Sequence, residues 1–374
     1  MKKLKIIDPS SLENKRRGRF IQFGKPDIGF FEKDAVLDVL DSGWLSTGEK
    51  VKEFENEFSR VMGDYPCVAV SSCTDGLIGS LMALGIGPND EVITTPLTFA
   101  ATINAIIAVG ARPVFIDVTP TGHIDPSFID AVVTDKTRAI VPIHYTGSLC
   151  DMPTIRDIAN RFNLNVVEDA AHSFGVRYGH LIGDTACYSF YPNKNITSGE
   201  GGMVVCKTKE IAENVRRVTT QGLNTDSHMR YSAKYVAHYK VESPGIKANM
   251  SDIHAAIGLA QLKRWPQFEG KRKAIWEIYE EAFGKKPAPH SRHIYTIAVE
   301  NRNAIRYRLY EAGIGTGIHF NPLHLEPAYE FLGYKPDDFP QAETIGEMTL
   351  SLPISTVMTD DDANYVVSTV KKEF

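Results

Sequence analysis

Lys194 is the first residue that could do chemistry. It lies in the stretch Ala186–Gly202, between an aromatic-rich strand (Tyr188, Phe190, Tyr191) and the glycine-rich turn Gly199–Gly202. An apolar setting and nearby positive charge lower an amine's pKa, as an imine-forming lysine requires. Ser189, five residues earlier, could donate to a phosphate. Taken alone, Lys194 reads better as an ordinary turn lysine. A second stretch, Val166–Gly175, runs from an apolar strand into Asp169, then small residues, then His172. Groups just past the carboxyl end of a parallel strand line a ligand crevice. A carboxylate there can hold a heteroaromatic ring nitrogen protonated; a lone Asp at a strand end is also a common helix or turn cap.

A third stretch, Ser71–Leu77, places small hydroxylic residues between a strand and a helix. Free N–H groups and the positive dipole end at such a start suit a phosphate, with Thr74 and Asp75 as candidates. The plain alternative is an N-cap by Ser72 or Thr74. No GxxxxGK[ST] and no GxGxxG after a strand is present. Read together, the three stretches offer a phosphate cup, an acid for a ring nitrogen and an imine lysine. Those are the needs of pyridoxal phosphate, completed by a flat side chain over the ring. Phe99, opening a helix after the Glu91–Thr95 strand, could supply that face or simply pack in the core.

These residues need a scaffold, and the apolar pattern predicts one. Val51, Phe54, Phe58 and Val61–Met62 share one face of a helix over 51–62. Strand-like Val68–Val70, Glu91–Thr95, Pro113–Val118, Ala139–His144 and Asn165–Asp169 alternate with helix-like Thr74–Leu84, Phe99–Val109 and Met152–Phe162. Strands separated by helices of this length imply βαβ crossovers and a mostly parallel sheet, an α/β fold. After Gly202 the pattern changes. Helical stretches around 208–217, 250–265, 302–311 and 360–372, with strand-like Ile294–Val299 and Gly317–Phe320, suggest a smaller α+β lobe. The expected division is a large domain over 1–250 and a small C-terminal domain over 251–374.

Composition excludes several classes. The chain has 374 residues, 43% of them hydrophobic and 23% charged, which rules out a disordered chain. A net charge of −5 argues against nucleic acid or an anionic membrane surface as partner. No apolar run approaches the roughly 18 residues that span a bilayer. The basic opening Met1–Asp8 is cut off from any signal-peptide apolar region by Asp8, Glu13 and the arginines. Five scattered cysteines without a CxxC fit a reducing cytosol, so a cytoplasmic location is expected. His144, His172, His290, His293, His319 and His324 form no HExxH or similar set, so no metal is expected.

The ordered motifs resemble a known family. Ser71–Asp75, Thr98–Thr102, Glu168–His172, Ser189–Ile196 and Gly199–Gly202 are similar, in content and order, to the sugar aminotransferases of the DegT/DnrJ/EryC1/StrS family. The likeness runs from Phe23–Gly29 and Ser42–Gly48 to Gly315–Phe320 and Ser351–Ile354. It implies the fold-type I aminotransferase architecture, a homodimer with shared active sites and pyridoxal 5'-phosphate as cofactor. It implies that Lys194 forms the imine and shuttles protons, and that Asp169 pairs with the pyridine nitrogen. It sets His172 beside the phenolic oxygen, where the family often has Gln. Thr74, Asp75 and Ser189 would cup the phosphate and Phe99 would stack on the ring.

Two departures stand out. Cys73 replaces a usual Gly in the phosphate loop. Lys247 and Asn249 occupy the segment that reaches into the partner's site, where Gly-x-Asn-x-Arg is frequent; a solvated helix start with an Asn cap is the other reading. His290–Thr296, Leu323–Leu325 and Ile196–Gly202 resemble the branch that aminates the 4-keto group of nucleotide sugars, with L-glutamate as donor. His319 and His324 could border that substrate or be structural. The rivals are amination at a 3-keto group, a dehydratase of the same scaffold and a non-catalytic sensor. The dehydratase branch carries His where this chain has Lys194. No helix-turn-helix or basic face supports the sensor. The implied context is surface polysaccharide, lipopolysaccharide or aminosugar biosynthesis.

Overall fold

Six of the seven strands of the central sheet run in one direction, and the seventh returns between two of them. The computed structural model describes residues 20–176, 181–224 and 239–374, so the basic opening Met1–Asp8 lies outside the described residues. The strands are β1 (Cys67–Val70), β2 (Glu91–Thr94), β3 (Arg112–Phe115), β4 (Thr137–Ile140), β5 (Asn165–Asp169), β6 (Thr185–Ser189) and β7 (Gly202–Cys206). Their order is β1-β7-β6-β5-β4-β2-β3. Only β7 is antiparallel to its neighbours, with Gly202 paired to both Val70 and Ser189. The start of β7 therefore lies at the same sheet edge as the ends of β1, β5 and β6.

Around it lie helices α1 (Phe30–Ser42), α2 (Glu49–Met62), α3 (Cys73–Ala83), α4 (Ala100–Ala108), α5 (Ile129–Val132), α6 (Met152–Phe162) and α7 (Lys209–Thr219). Both faces of the sheet are covered, which is why its strands read as continuous apolar runs. Successive side chains alternate between two cores. Val68, Val70, Val204 and Cys206 pack with Leu77, Leu81 and Val215. Ala69, Met203 and Val205 face α2 instead, among Phe54, Phe58, Phe174, Tyr188 and Phe190. Helix α2 is the amphipathic segment expected, and it stops at Gly63, whose φ of 87° only glycine adopts without strain.

The C-terminal part holds α8 (Asp252–Phe283), α9 (Arg302–Glu311), α10 (Pro340–Met348), α11 (Asp360–Val370) and the antiparallel pair β8 (Tyr295–Ala298) and β9 (Thr349–Leu352). The two cores share α8. Its first half gives Ala255, Leu259, Leu262 and Phe268 to the large core, and its second half gives Ile275, Trp276 and Tyr279 to the small one. Ile21 also packs in the small core, while Leu323, Tyr329, Leu332 and Phe339 pack back on Leu97, Ile103 and Phe115. Packing thus crosses the division at residue 250 in both directions. Gly317–Phe320 is not a strand; it makes a single bridge from Gly317 to Ser351. Helix α1 had no sequence signal because its apolar residues Phe30, Phe31, Leu37 and Leu40 point to solvent in the single chain. Among the described residues no helix is long and apolar enough to cross a membrane.

Phe58 is fully buried, with ring centroids 5.5–5.6 Å from Phe174, Tyr188 and Phe190. Truncating it leaves a cavity that these three rings cannot close. Phe58→Ala is expected to lower unfolding stability by about 3–5 kcal/mol in urea titrations followed by circular dichroism. A loss under ~1 kcal/mol would mean that this aromatic cluster does not hold α2 to the sheet.

Candidate active site

Asp169 ends β5, and its backbone is fixed on both sides. Its N–H donates to the Pro142 carbonyl at 2.9 Å, and its own carbonyl accepts from the His144 N–H at 3.1 Å. The buried side chain accepts twice: Oδ2 from Thr102 Oγ1 at 2.7 Å and Oδ1 from the Ala171 N–H at 3.1 Å. Thr102 has one hydroxyl proton and spends it on Asp169, so it must accept from Thr98 Oγ1 at 2.8 Å. Thr98 and Thr102 are i,i+4 neighbours across the start of α4. They entered the sequence reading only as family letters. The signal that could have found them is that hydroxyl spacing on a helix opening beside the acid.

Lys194 lies on a loop tied down at several points. Its N–H donates to the Tyr191 carbonyl at 2.9 Å, and the Ser198 N–H donates to Phe190 O at 3.0 Å. The next residue, Asn195, is buried and donates through Nδ2 to the carbonyls of Phe174 (2.8 Å) and Ser291 (2.9 Å). Burial pushes the Lys194 amine down to about 8; Cys73 and Asp169 oppose the shift. The amine is therefore poised near neutrality, able to give and take a proton.

The helix start beside it is built by Ser72. Its Oγ caps α3 by accepting the Asp75 N–H at 3.0 Å. The Asp75 carboxylate in turn accepts from Ser71 Oγ (2.6 Å) and Ser72 Oγ (2.8 Å). The capping alternative thus describes Ser72, and the Asp75 carboxylate braces the loop instead of lining the cavity. The first helical N–H groups, at Cys73 and Thr74, have no partner within the helix and lie at the positive dipole end. Gly202 permits this approach, because a Cβ there would sit 2.7 Å from both Cys73 N and Ser72 C. Cys73 fits where a glycine was expected because its thiol donates to the Cys187 carbonyl at 3.3 Å. Burial pushes that thiol well up, so it stays protonated.

Cys73, Thr74, Phe99, Asp169, His172, Ser189, Lys194 and His319 together line one cavity of about 400 Å³. Phe99 is 63% exposed at its mouth, so it is not a core residue. The far wall is a ring stack. His172 lies over Phe320 (centroids 5.8 Å, 21° apart), and His319 lies over Phe23 (5.5 Å, 23°). His319 Nδ1 is 2.7 Å from Ser351 Oγ. Burial, with the Lys194 charge second, pushes His319 down to about 3 and His172 well below its usual range. Both rings are neutral at physiological pH. Tyr191, Asn193, Glu200 and Phe320 also line the cavity and were not singled out from the sequence.

Three candidates stand elsewhere. His324 is a buried structural histidine, with Nε2 3.0 Å from Glu343 Oε1 and its ring against Phe339. Lys247 is exposed and donates to Asn249 Oδ1, and Asn249 donates to Thr47 Oγ1. Neither Lys247 nor Asn249 lines the cavity of its own chain. Ser251, not Asn249, caps the following helix.

Residues 26–371 match the DegT/DnrJ/EryC1/StrS aminotransferase family, and the chain belongs to that family. It is 41% identical over 379 residues to the spore coat polysaccharide biosynthesis protein SpsC of Bacillus subtilis, covering 95% of this chain and 97% of that one. Among solved structures it is similar to Spr1654 of Streptococcus pneumoniae, assigned as a sugar aminotransferase and solved in PMP, apo and PLP forms. For the PMP form the TM-score is 0.87 and the identity 32%, covering 94% of this chain and 98% of that one. Helicobacter pylori PseC, an aminotransferase involved in the biosynthesis of pseudoaminic acid, gives a TM-score of 0.87 at 25% identity over 95% and 99%. The architecture is that of the fold-type I sugar aminotransferases.

The amine's setting can be titrated without any ligand. Neutral lysine is the reactive form, so labelling of Lys194 by a small amine-specific reagent, read by peptide mass mapping, should rise with pH through about 8. An ordinary lysine rises near ~10.4. Asp169 opposes the shift, so Asp169→Asn should move the midpoint lower still. A midpoint near that of surface lysines would contradict this reading of the cavity.

Proposed function

We propose that this chain transfers the amino group of L-glutamate to the 4-keto group of a nucleotide-linked sugar, working as a cytoplasmic homodimer with shared active sites. The chain is a pyridoxal-phosphate-dependent sugar aminotransferase. The observation that carries the aminotransferase chemistry is the convergence, in one cavity, of a near-neutral lysine, a hydrogen-bonded carboxylate, an open helix start and an exposed aromatic face.

The cavity fits the cofactor. Lys194 would hold its aldehyde carbon, Asp169 its ring nitrogen, and Thr74, Ser189 and the α3 start its phosphate, with Phe99 against one ring face. When bound, the cofactor serves as an electron sink and carries the amino group between the two substrates. The remaining work falls to the protein. The Thr98–Thr102 pair fixes the Asp169 carboxylate in place, so that it holds a proton on the ring nitrogen without swinging away. Lys194, with an amine near neutrality, can take a proton from one carbon and return it to another at physiological pH. His172, neutral and wedged against Phe320, offers a hydrogen bond without adding charge. His319, held by Ser351, would border the sugar substrate.

Two features support a shared site. Lys247 and Asn249 line no part of their own chain's cavity, as residues that serve a neighbour's site would not. Helix α1 and the residues before it expose Ile28, Phe30, Phe31, Leu37 and Leu40, an apolar face that a second copy would cover. The names of SpsC and PseC support a role in surface polysaccharide or aminosugar biosynthesis. The segments Ile196–Gly202 and His290–Thr296 favour the 4-keto position over the 3-keto alternative. Lys194 itself speaks against the dehydratase, and a sensor would not need the whole constellation.

The test is direct. Purified enzyme with L-glutamate should convert nucleotide-linked 4-keto sugars to amino sugars, with equimolar 2-oxoglutarate in a coupled assay and the product position read by NMR. Conversion of 3-keto sugars alone would select the alternative, and no conversion of either would overturn the function. Asp169→Asn should lower kcat about 10- to 100-fold, the cost of one charged hydrogen bond.

A further inference from the structure

Strand β5 ends in two carboxylates, and only the second faces the cavity. Successive side chains of a strand alternate, so Glu168 turns to the α2 side of the sheet, beside Met62, Tyr188 and Val205. It is 6% exposed. A buried carboxylate costs free energy unless it is hydrogen-bonded, and this one has a nook built for it. Oε1 accepts the Gly183 N–H at 2.5 Å, and Oε2 lies 2.8 Å from Nε2 of His144, which is also buried. A Cβ at Gly183 would sit 2.7 Å from Oε1, so only glycine allows this approach. The void beside the pair holds about 20 Å³, room for about one water and too small for a second ligand.

A third group fixes the direction of the His144–Glu168 bond. The Cys150 N–H donates to His144 Nδ1 at 3.3 Å. A backbone N–H can only donate, so Nδ1 presents its lone pair and the ring proton lies on Nε2, aimed at Glu168. The same residue also holds the backbone of the cavity acid. Strand β4 pairs with β5 at Ala139–Asn165 and Ile140–Val166. Beyond that, Pro142 has no N–H to add to the ladder. The next donor is the His144 N–H, which meets the Asp169 carbonyl at 3.1 Å. His144 thus grips Glu168 with its ring and Asp169 with its backbone, and the peptide joining the two acids is held from both sides.

We propose that His144 is a positioning residue for Asp169: as the Nε2–H tautomer it pins Glu168, with its own N–H it pins the Asp169 carbonyl, and the strand end therefore presents its carboxylate to the cavity in one direction. Neither His144 nor Glu168 lines the cavity, so both act through Asp169. The Thr102 hydroxyl and the Ala171 N–H fix the tip of that carboxylate, and they meet it only while its backbone stays in place. Apolar side chains would fill the space around Glu168 at less cost. A hydrogen-bonded grip adds direction, which the neighbouring acid needs.

The catalytic consequence rests on the aminotransferase reading, but the grip does not. In ligand-free protein labelled with 15N-histidine, with His144 assigned by comparison with His144→Gln, Nε2 should be protonated and Nδ1 bare. His144→Leu should speed hydrogen exchange about tenfold in the peptide spanning 166–172, read by mass spectrometry, with β2 and β7 within about twofold of wild type. It should also lower kcat about tenfold, with KM for the keto sugar within about twofold. His144→Gln, whose amide can still donate to Glu168, should restore slow exchange and most of the rate. A protonated Nδ1 on wild-type His144 would overturn the proposal even if His144→Leu failed to fold. So would a wild-type kcat in His144→Leu, or faster exchange spread evenly over the sheet. Wild-type protein inactive on keto sugars, yet showing the tautomer and the local exchange pattern, would sink the functional reading and leave the positioning intact.

Discussion

The structure depends on keeping one lysine amine and one carboxylate in the same low-dielectric cavity without letting them neutralise each other's use. Burial moves Lys194 to about 8, and Asp169 holds it from going further. Asp169 meanwhile is committed by hydrogen bonds to Thr102 and to Ala171. Had the carboxylate been free to swing onto the amine, the result would be a plain buried ion pair, with the lysine locked in its charged form. The threonine relay across the start of α4 prevents that, which makes two hydroxyls as consequential as the charged groups they serve.

Everything else positions that pair. Five of the sheet's strands are in parallel register, and β7 returns antiparallel between β1 and β6. This arrangement brings the end of β5, the end of β6 and the start of α3 to one edge. Gly202 lets β7 pass within van der Waals reach of the α3 start, so the helix terminus opens into the cavity. The far wall comes from the C-terminal part of the chain through His319 and Phe320. Small-lobe packing around Tyr279, Tyr295 and Leu350 therefore bears on the same cavity as the sheet.

Much of this was legible in the sequence. The apolar period located α2, α6 and β5 closely, because each buries one face or both in a continuous core. The chemistry was legible where an unusual residue stood in an unusual setting, as with Lys194 among aromatics and Asp169 at a strand end. Local pattern could not show which polar groups meet in space. Thr98 and Thr102 act through a strand 67 residues away, and His324 looked like a site residue until Glu343 and Phe339 enclosed it. Asp75 stood at the right helix start, yet its carboxylate turned to Ser71 and Ser72. Helix α1 escaped notice because its apolar residues face outward, a surface whose partner no single-chain periodicity reveals.

The central claim is that Lys194 is the amine through which this protein holds its cofactor and begins the transfer. The most direct measurement is the visible absorbance of purified protein with added pyridoxal phosphate, before and after L-glutamate, for wild type and Lys194→Ala. The account predicts a yellow band in wild type that bleaches on glutamate, and no protein-bound band of that kind in Lys194→Ala. A band of equal strength in Lys194→Ala, or none in wild type, would contradict it.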